Sequence, residues 1–389
     1  MRFGWNRMAG IVVACLLAMP VGRGQAPAPS ATGDKPLLSD QVFKNVQVLK
    51  GIPVNEFMDT MGFFAASLGL NCVFCHTDQS LEDWSHFADD VPRKRIARGM
   101  IAMVNNLNKN NFGGRRVVTC YTCHHGNERP KVIPSLAEQY GVAPEDPNEV
   151  EIVESAPKGP SADQILDKYI QAIGGAQKVA ALTSFVGKGT FEGYDTYHQK
   201  VPMEVYAKAP GQLTQIMHTQ NGDSTTVFNG REGWIASVDK PVRLLPALPG
   251  YEQDAAKLDA ELAIPVRIKQ ALTQWKTGFP VSSIDDKTVQ VIQGTGAGGT
   301  RFKLFFDQET GLLARVVRYE NTAVGTLPIQ VDYSNYREVA GVKIPFNWTV
   351  TWTNGQSINE LTDVQVNVAI QASRFAKPAE AVVKPAANK

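Results

Sequence analysis

The sequence is poor in cysteine, has no excess of charge of either sign and contains no long apolar run. Five cysteines in 389 residues are too few for a disulfide-stabilised scaffold. The 39 Lys and Arg residues against 38 Asp and Glu residues give a formal net charge of +1, which excludes the charge of a general nucleic-acid binder. The apolar run near the start, residues 8–19, has 12 residues, whereas a helix that crosses a bilayer needs roughly 20. With 43% hydrophobic residues, the composition is nevertheless that of a globular protein.

The first residues are typical of an export signal. Basic residues precede the apolar run at residues 8–19, and a small residue, Gly24, suits cleavage. We therefore predict a signal peptide over residues 1–24, a linker over residues 25–36 and export to the periplasm. Cys15 leaves with this signal, unless it belongs to a lipid-attachment box that would associate the protein with a membrane.

The four remaining cysteines fall into two copies of one pattern. CVFCH at residues 72–76 and CYTCH at residues 120–124 both have the spacing by which haem c is attached covalently. Two thiols add to the two vinyl groups of one porphyrin, and the adjacent imidazole ligates the iron. A zinc ribbon would place its cysteine pairs roughly 15 to 20 residues apart, whereas 44 residues separate these pairs. We predict two haem c groups, attached at Cys72, Cys75, Cys120 and Cys123, with His76 and His124 as proximal ligands.

The residue that occupies the sixth position of each iron distinguishes an electron carrier from an enzyme. Periodic apolar residues predict a helix before each motif, over residues 55–68 and 92–109, and each helix carries two methionines. A methionine at helical spacing often only fills a gap in a core. Two pairs among nine methionines favour iron ligation instead. The candidate distal ligands are Met58 or Met61 for one haem and Met100 or Met103 for the other.

These segments resemble the bound cytochrome c subunit of photosynthetic reaction centres. The resemblance is carried by SLGLNCVFCH at residues 67–76, ARGMIAMVNNLN at residues 97–108 and VTCYTCHHG at residues 118–126. It covers residues 37–134 and implies a small, mostly helical dihaem cytochrome c domain.

The resemblance also implies which methionines are ligands. In that family the sixth ligand is usually a methionine on the helix before each motif, which by position corresponds to Met61 and Met100, with Met58 and Met103 as alternates. The sequence departs from the family in two respects. The family subunit holds four haems and this chain has two motifs, and His125 stands where the family tends to have Arg or Gln.

The rest of the chain has a different composition. Residues 135–160 are acidic and rich in proline, which predicts a linker. A helix with an N-cap at Ser161 follows, and from Ser184 alternating apolar and polar residues with turn signals predict about ten antiparallel strands with a few helices. We predict a mainly antiparallel β half-barrel over residues 161–376, a disordered tail over residues 377–389 and an α+β fold for the chain.

Short segments of this second domain resemble periplasmic lipoprotein-carrier half-barrels. They are LFFDQETGLL at residues 304–313 and DYSNYR at residues 332–337. The resemblance implies that an aromatic inner face could hold a hydrophobic ligand. The preferred alternative is that Phe346, Trp348 and Trp352 only fill the core.

The leading hypothesis is an exported dihaem cytochrome c that carries single electrons between redox partners and is not an enzyme. The partners would include a membrane-bound reaction centre or a respiratory complex, and no nucleic acid is expected. A peroxidase-like dihaem enzyme is one alternative, and it requires an iron that is open to substrate. A haem-linked lipid sensor is the other. The second domain contains no cysteine, and its two histidines, His198 and His218, have no spaced partner that would indicate a catalytic site.

Overall fold

The chain is described here from a computed structural model. The predicted signal peptide lies outside the described residues, as do most of the linker that follows it, the middle of the acidic linker and the last five residues. The described residues are 35–141, 152–245, 250–278, 281–284 and 287–384.

Helices account for most of the regular structure before residue 141. Short 3-10 helices at Asp78–Leu81 and Trp84–Ala88 connect the first motif to the next long helix. The helices are α1 (Ser39–Val42), α2 (Val54–Leu68), α3 (Cys72–Cys75), α4 (Pro92–Asn111), α5 (Cys120–His124) and α6 (Leu136–Tyr140).

The two long helices, α2 and α4, agree with the predicted helices to within two residues at each end. Helix α2 ends at Gly69, which has a left-handed conformation with φ of 64°. A Cβ atom at Gly69 would lie 2.2 Å from the Gly126 carbonyl oxygen. The Gly126 N–H donates to the Ser67 carbonyl oxygen at 3.0 Å. Glycine at position 69 therefore allows the loop after the second motif to approach the end of α2 closely.

Helix α4 begins with Pro92, whose missing N–H costs nothing in a first turn.

The second half of the chain forms one antiparallel sheet with helices, as predicted, although it has 14 strands instead of about ten. The strands are β1 (Ser184–Gly193), β2 (Val201–Lys208), β3 (Gln212–Thr219), β4 (Gly222–Phe228), β5 (Gly233–Ala236), β6 (Leu244–Leu245), β7 (Thr273–Thr277), β8 (Val281–Ile284), β9 (Lys287–Thr295), β10 (Arg301–Asp307), β11 (Leu313–Asn321), β12 (Thr326–Val339), β13 (Val342–Trp352) and β14 (Gly355–Val366). The helices in this half are α7 (Ala162–Ala172), α8 (Ala176–Ala180), α9 (Gly250–Ala263) and α10 (Ile268–Ala271), with 3-10 turns at Tyr194–Thr196 and Ala372–Phe375.

The first strand of the sheet pairs with the last. The order of the strands is β6-β5-β4-β3-β2-β1-β14-β13-β12-β11-β10-β9-β7, and β8 pairs with β9 outside this path. Strands that follow one another in the sequence are thus mostly paired with each other as hairpins. The long-range exception is the pair of β1 and β14, in which Phe191 lies opposite Asn359. The Asn354-Gly355 turn between β13 and β14 falls where the sequence predicts it.

The sheet is covered by apolar residues on both faces, and β10 shows this clearly. Phe302 and Leu304 belong to a large cluster beneath α7, α9 and α10, whereas Phe305 belongs to a second, smaller cluster. Phe346 is buried in the large cluster, and Trp348 packs against it. Phe346 and Trp348 therefore contribute to this core, whereas Trp352, at the end of β13, is partly exposed and does not belong to it.

The helical segment packs on the sheet through a third hydrophobic cluster. Phe63 of α2 and Ile101 of α4 meet Val324 and Leu327 at the turn between β11 and β12. Gly325 lies in this turn, and a Cβ atom there would lie 2.2 Å from the Phe63 ring. The two predicted domains therefore share a buried surface.

Parts of the predicted linker and tail also lie against the sheet. Ile152 is buried in the cluster that contains Phe305, and the Ala156 N–H donates to the Thr277 carbonyl oxygen at 2.8 Å. At the other end, the Lys384 N–H donates to the Asn221 carbonyl oxygen at 2.8 Å. Backbone pairing of this kind holds a polar segment to a strand without a hydrophobic sequence pattern.

Replacing Gly325 with alanine is expected to destabilise the protein. The new methyl group would overlap the Phe63 ring, so α2 or the β11–β12 turn must shift, and overpacking of this kind costs about 1–3 kcal/mol. Gly159→Ala is the matched control, because its nearest neighbour would be 3.7 Å away. Chemical denaturation of both variants measures the difference. Equal unfolding midpoints would show that Phe63 does not pack closely on the turn.

Candidate haem site

Each Cys-x-x-Cys-His motif begins with one helical turn. Helix α3 runs from Cys72 to Cys75 and helix α5 from Cys120 to His124. Residues three positions apart lie on one face of a helix, so both thiols of a motif can point to the same side. All four are free thiols in the described chain. Two thiols on one face, followed by an imidazole, are the donor set that attaches one porphyrin and ligates its iron.

A reciprocal pair of hydrogen bonds fixes the start of the second motif. The Thr119 N–H donates to Thr122 Oγ1 at 3.0 Å, and the Thr122 N–H donates to Thr119 Oγ1 at 3.4 Å. Such a capping box satisfies two backbone donors that a helix N-terminus leaves unpaired. The x-x residues of this motif thus contribute to the helical turn that carries its cysteines.

The imidazole of His76 is held against an aromatic side chain. Its ring centroid lies 4.8 Å from that of Phe87, with the rings edge to face. Burial of the ring, with the Lys94 ammonium nearby, lowers the pKa of His76 to about 4. The imidazole is therefore neutral at pH 7, which is the form that ligates a metal. His76 Nδ1 is buried and has no hydrogen-bond partner among the residues described.

The imidazole of His124 is oriented by the backbone. His124 Nδ1 lies 3.0 Å from the Asn127 carbonyl oxygen. When Nδ1 carries the proton and donates it there, the lone pair of Nε2 is available to an iron. His125 is exposed, and its ring lies 5.2 Å from the Tyr121 ring.

The candidate methionines differ in their surroundings. Met61 is partly buried against the cluster around Phe63, and Cys120 of the second motif packs against the same cluster, although Met61 precedes the first motif in sequence. Met58 is 38% exposed, Met100 is 42% exposed and Met103 is 53% exposed. Helix α2 contacts α5, and α4 contacts both α3 and α5. The two long helices and the two motifs thus form one layer.

Helix α4 presents an apolar stripe to the solvent. The buried side of the helix carries Ile101 and Val104. The periodic apolar residues that predict this helix lie on its exposed side. They are Ile96, Met100, Met103 and Leu107. An exposed apolar stripe beside free thiols and a neutral imidazole fits a large apolar ring with a metal at its centre. The residues present therefore fit haem c.

Basic residues of α4 tie this helix to the first motif and the loop that follows it. The Arg93 guanidinium lies 3.6 Å from the centroid of the Phe74 ring and donates to the Phe74 carbonyl oxygen at 3.1 Å. Lys94 Nζ donates to the Phe87 carbonyl oxygen at 2.7 Å. From the sequence, Arg93 and Lys94 are expected on a solvated helix face. Only the tertiary contacts distinguish them from ordinary exposed basic residues. No local pattern marks a basic residue that will donate to a carbonyl elsewhere in the chain.

Two further findings concern the described part of the chain as a whole. None of its helices is both long enough and apolar enough to cross a bilayer. Nor does that part contain three or more His, Cys, Asp or Glu side chains grouped so that they could hold a metal ion by themselves.

Arranged in this way, the two motifs define the kind of site at which c-type cytochromes carry haem. Residues 18–149 match the family model described as photosynthetic reaction centre cytochrome C subunit. The chain is 37% identical over 109 residues to the reaction center cytochrome c subunit of Thermochromatium tepidum and 33% identical over 103 residues to that of Roseobacter denitrificans. These matches cover 27% and 25% of this chain and 25% and 27% of the relatives. The chain thus spans about a quarter of the length of these relatives.

Solved structures similar to this chain each cover a little over half of it. A LolA superfamily protein from Nitrosomonas europaea has a TM-score of 0.39 and 16% identity, and covers 56% of this chain and 99% of its own. A putative outer membrane lipoprotein-sorting protein domain from Vibrio parahaemolyticus has a TM-score of 0.40 and 9% identity, and covers 55% of this chain and 95% of its own.

Replacing Arg98 with alanine is expected to loosen α4. Arg98 donates to Asp90 Oδ1 at 2.5 Å and to the Asn45 carbonyl oxygen at 3.3 Å, and its side chain is 16% exposed. Loss of charge-assisted hydrogen bonds of this kind costs about 1–3 kcal/mol. Arg95→Ala is the control, because Arg95 is exposed and lies 3.6 Å from Asp90, which predicts a cost of about 0–1 kcal/mol. Thermal unfolding compares the two, and a larger loss for Arg95→Ala would contradict the role given to Arg98.

Proposed function

We propose that this chain is an exported dihaem c-type cytochrome that carries single electrons between redox partners. The observation that supports it most is the pair of Cys-x-x-Cys-His turns on a methionine-bearing helical layer, in a stretch that matches reaction centre cytochrome c subunits. Bound haem supplies an iron that can gain and lose one electron. The residues assigned to it are Cys72, Cys75, Cys120 and Cys123 for attachment, His76 and His124 as proximal ligands, and Met61 and Met100 as distal ligands, with Met58 and Met103 as alternates.

The chain's own residues would tune the two sites. The Asn127 carbonyl would hold His124 by Nδ1 and leave the lone pair of Nε2 free to ligate an iron. Phe87 packs on the His76 ring, and Lys94 fixes the backbone of Phe87. A methionine thioether in the sixth position raises the reduction potential and leaves no open position for a substrate. An iron held in this way by His and Met would be closed to substrate, which is the reason to propose a carrier instead of an enzyme.

Partners and location follow from the relatives, as part of the same proposal. The matched proteins are named as reaction centre cytochrome c subunits, so a membrane-bound reaction centre is one candidate partner for this chain, and a respiratory complex is another. Haem c attachment belongs to the periplasm in the exported bacterial proteins that the sequence resembles, and residues 1–24 supply the proposed signal peptide.

The number of haems can be measured directly. Full-length protein, expressed with its signal in a host that attaches haem c, is expected to carry two haems per chain, because each motif attaches one. The Cys72→Ala/Cys75→Ala and Cys120→Ala/Cys123→Ala variants should each retain about half of the haem absorbance. The haem content of purified protein gives the result. Two haems remaining after either double substitution, or none in the unsubstituted protein, would contradict the proposal.

The methionine ligands can be tested in the same protein. Met61→Leu and Met100→Leu should each remove about half of the weak far-red band of methionine bound to ferric iron, because one of two irons loses its thioether. One haem should then bind carbon monoxide when reduced and show a lower midpoint potential. Met58→Leu and Met103→Leu are the matched controls and should leave the band unchanged. Loss of about half of the band in a control variant would reassign that ligand, and carbon monoxide binding by the unsubstituted protein would favour the peroxidase-like alternative.

A further inference from the structure

A group of ionisable side chains lies where the helical layer meets the β-rich half of the chain. It is formed by one face of α2, the start of α9 and the middle of β11. We call it the junction cluster, and its members are Asn55, Asp59, Tyr251, Glu252, Asp259, Arg318 and Glu320.

Several contacts join the members of this cluster. The Tyr251 hydroxyl donates to Asp59 Oδ2 at 2.6 Å and so connects α9 to α2. Arg318 Nε donates to Glu320 Oε1 at 2.9 Å, and Arg318 Nη1 lies 3.6 Å from Asp259 Oδ2. The Glu320 side chain is 7% exposed. The Asp259 side chain is 39% exposed and the remaining members are partly buried, so the cluster is only partly open to water, and it spans both halves of the described chain.

Glu252 is the member whose charge is least compensated. Its Oε2 atom is buried and has no well-aligned hydrogen-bond partner within the described ranges, and the same holds for Asn55 Nδ2, although the nearby Asn55 amide favours the carboxylate in part. A carboxylate without such a partner is costly to bury, whereas a protonated carboxyl is much less so. Burial, and next the nearby Asp59 carboxyl, raise the pKa of Glu252 to about 8.

The count of charges leads to the same conclusion. Four carboxyl groups face each other in the cluster, those of Asp59, Glu252, Asp259 and Glu320. The cations that act on them are Arg318 and the exposed Lys240. If all four carboxyl groups were ionised, four negative charges would face two positive ones. Burial is the main cause that raises the pKa of Glu252 to about 8 and that of Glu320 to about 7, so the cluster holds at least one proton near neutral pH.

The cluster lies beside the helix that carries one pair of candidate iron ligands. Asn55 and Asp59 are on α2, as are Met58 and Met61. Asp59 directly follows Met58 and lies two residues before Met61, it accepts a hydrogen bond from Tyr251, the neighbour of Glu252, and its charge acts on Glu252. A haem ligated from α2 would therefore lie within Coulomb range of Glu252. An electron that arrives at this haem adds a negative charge and makes protonation of the carboxyl more favourable.

We propose that Glu252 binds a proton when the haem ligated from α2 is reduced, so that the midpoint potential of this haem falls as the pH rises. This inference rests on the proposed function. In the step, a one-electron donor reduces ferric to ferrous iron, and one proton from water forms an O–H bond with the Glu252 carboxylate. Oxidation reverses both changes. The second domain thereby contributes to the properties of the haem, through α9.

The proposal predicts a pH dependence that one substitution removes. Potentiometric titration of the two-haem protein between about pH 6 and pH 9 should show one haem whose midpoint potential falls with pH. A tenfold rise in the proton affinity of Glu252 on reduction corresponds to a total change of about 59 mV for a one-electron couple. Glu252→Gln keeps the shape of the side chain and cannot titrate, so the dependence should be lost. Glu338→Gln is the control, because Glu338 is exposed and lies away from the cluster.

Each outcome either supports or overturns the inference. An equal dependence in Glu252→Gln and in the unsubstituted protein would assign the proton to another group, such as a haem propionate, and overturn it. Potentials of the unsubstituted protein that do not change with pH would overturn it as well, whether or not the variant folds. In both cases the protein still carries two low-spin haems. Failure of the proposed function is a different result, since the protein would then lack haem.

Discussion

The packing of Phe63 against the turn between β11 and β12 is the contact on which the arrangement of the helical layer depends. Phe63 lies at the centre of α2, and the cluster around it contains Ile101 of α4, Cys120 of the second motif and residues of the sheet. Arg116 donates to the Thr322 carbonyl oxygen at the same turn. Burial of apolar surface at this point therefore fixes helices and motif together against a rigid sheet.

A helical layer that packs on a sheet differs in the size of its core from a helical layer that stands alone. A segment of about a hundred residues with few large buried groups has limited apolar area with which to hold two porphyrins. Here part of its core is supplied by Val324 and Leu327 of the β-rich half. The sheet has a separate large core beneath α7, α9 and α10, so it can serve as a support whose own stability does not depend on haem.

The histidines of the two candidate sites are oriented by different contacts. His124 is oriented by a backbone carbonyl three residues away, whereas His76 is oriented by Phe87, which Lys94 fixes from α4. The first is a local arrangement and the second depends on tertiary packing. Two sites that share the Cys-x-x-Cys-His pattern can thus differ in environment. Such a difference is one way in which two haems of an electron carrier acquire different reduction potentials.

The sequence by itself determined what depends on local pattern: the two attachment motifs, the long helices around Met61 and Met100, the capped helix after Ser161 and the succession of antiparallel strands. The tertiary structure alone decided which distant residues meet. It packed Met61 and Cys120 against the same cluster, buried Phe63 on Gly325, paired Tyr251 with Asp59 and set Ile152 of the acidic linker into a core. The physical reason is that helical and strand periods record which face of an element is apolar, whereas the partner of that face depends on how elements far apart in the chain pack together.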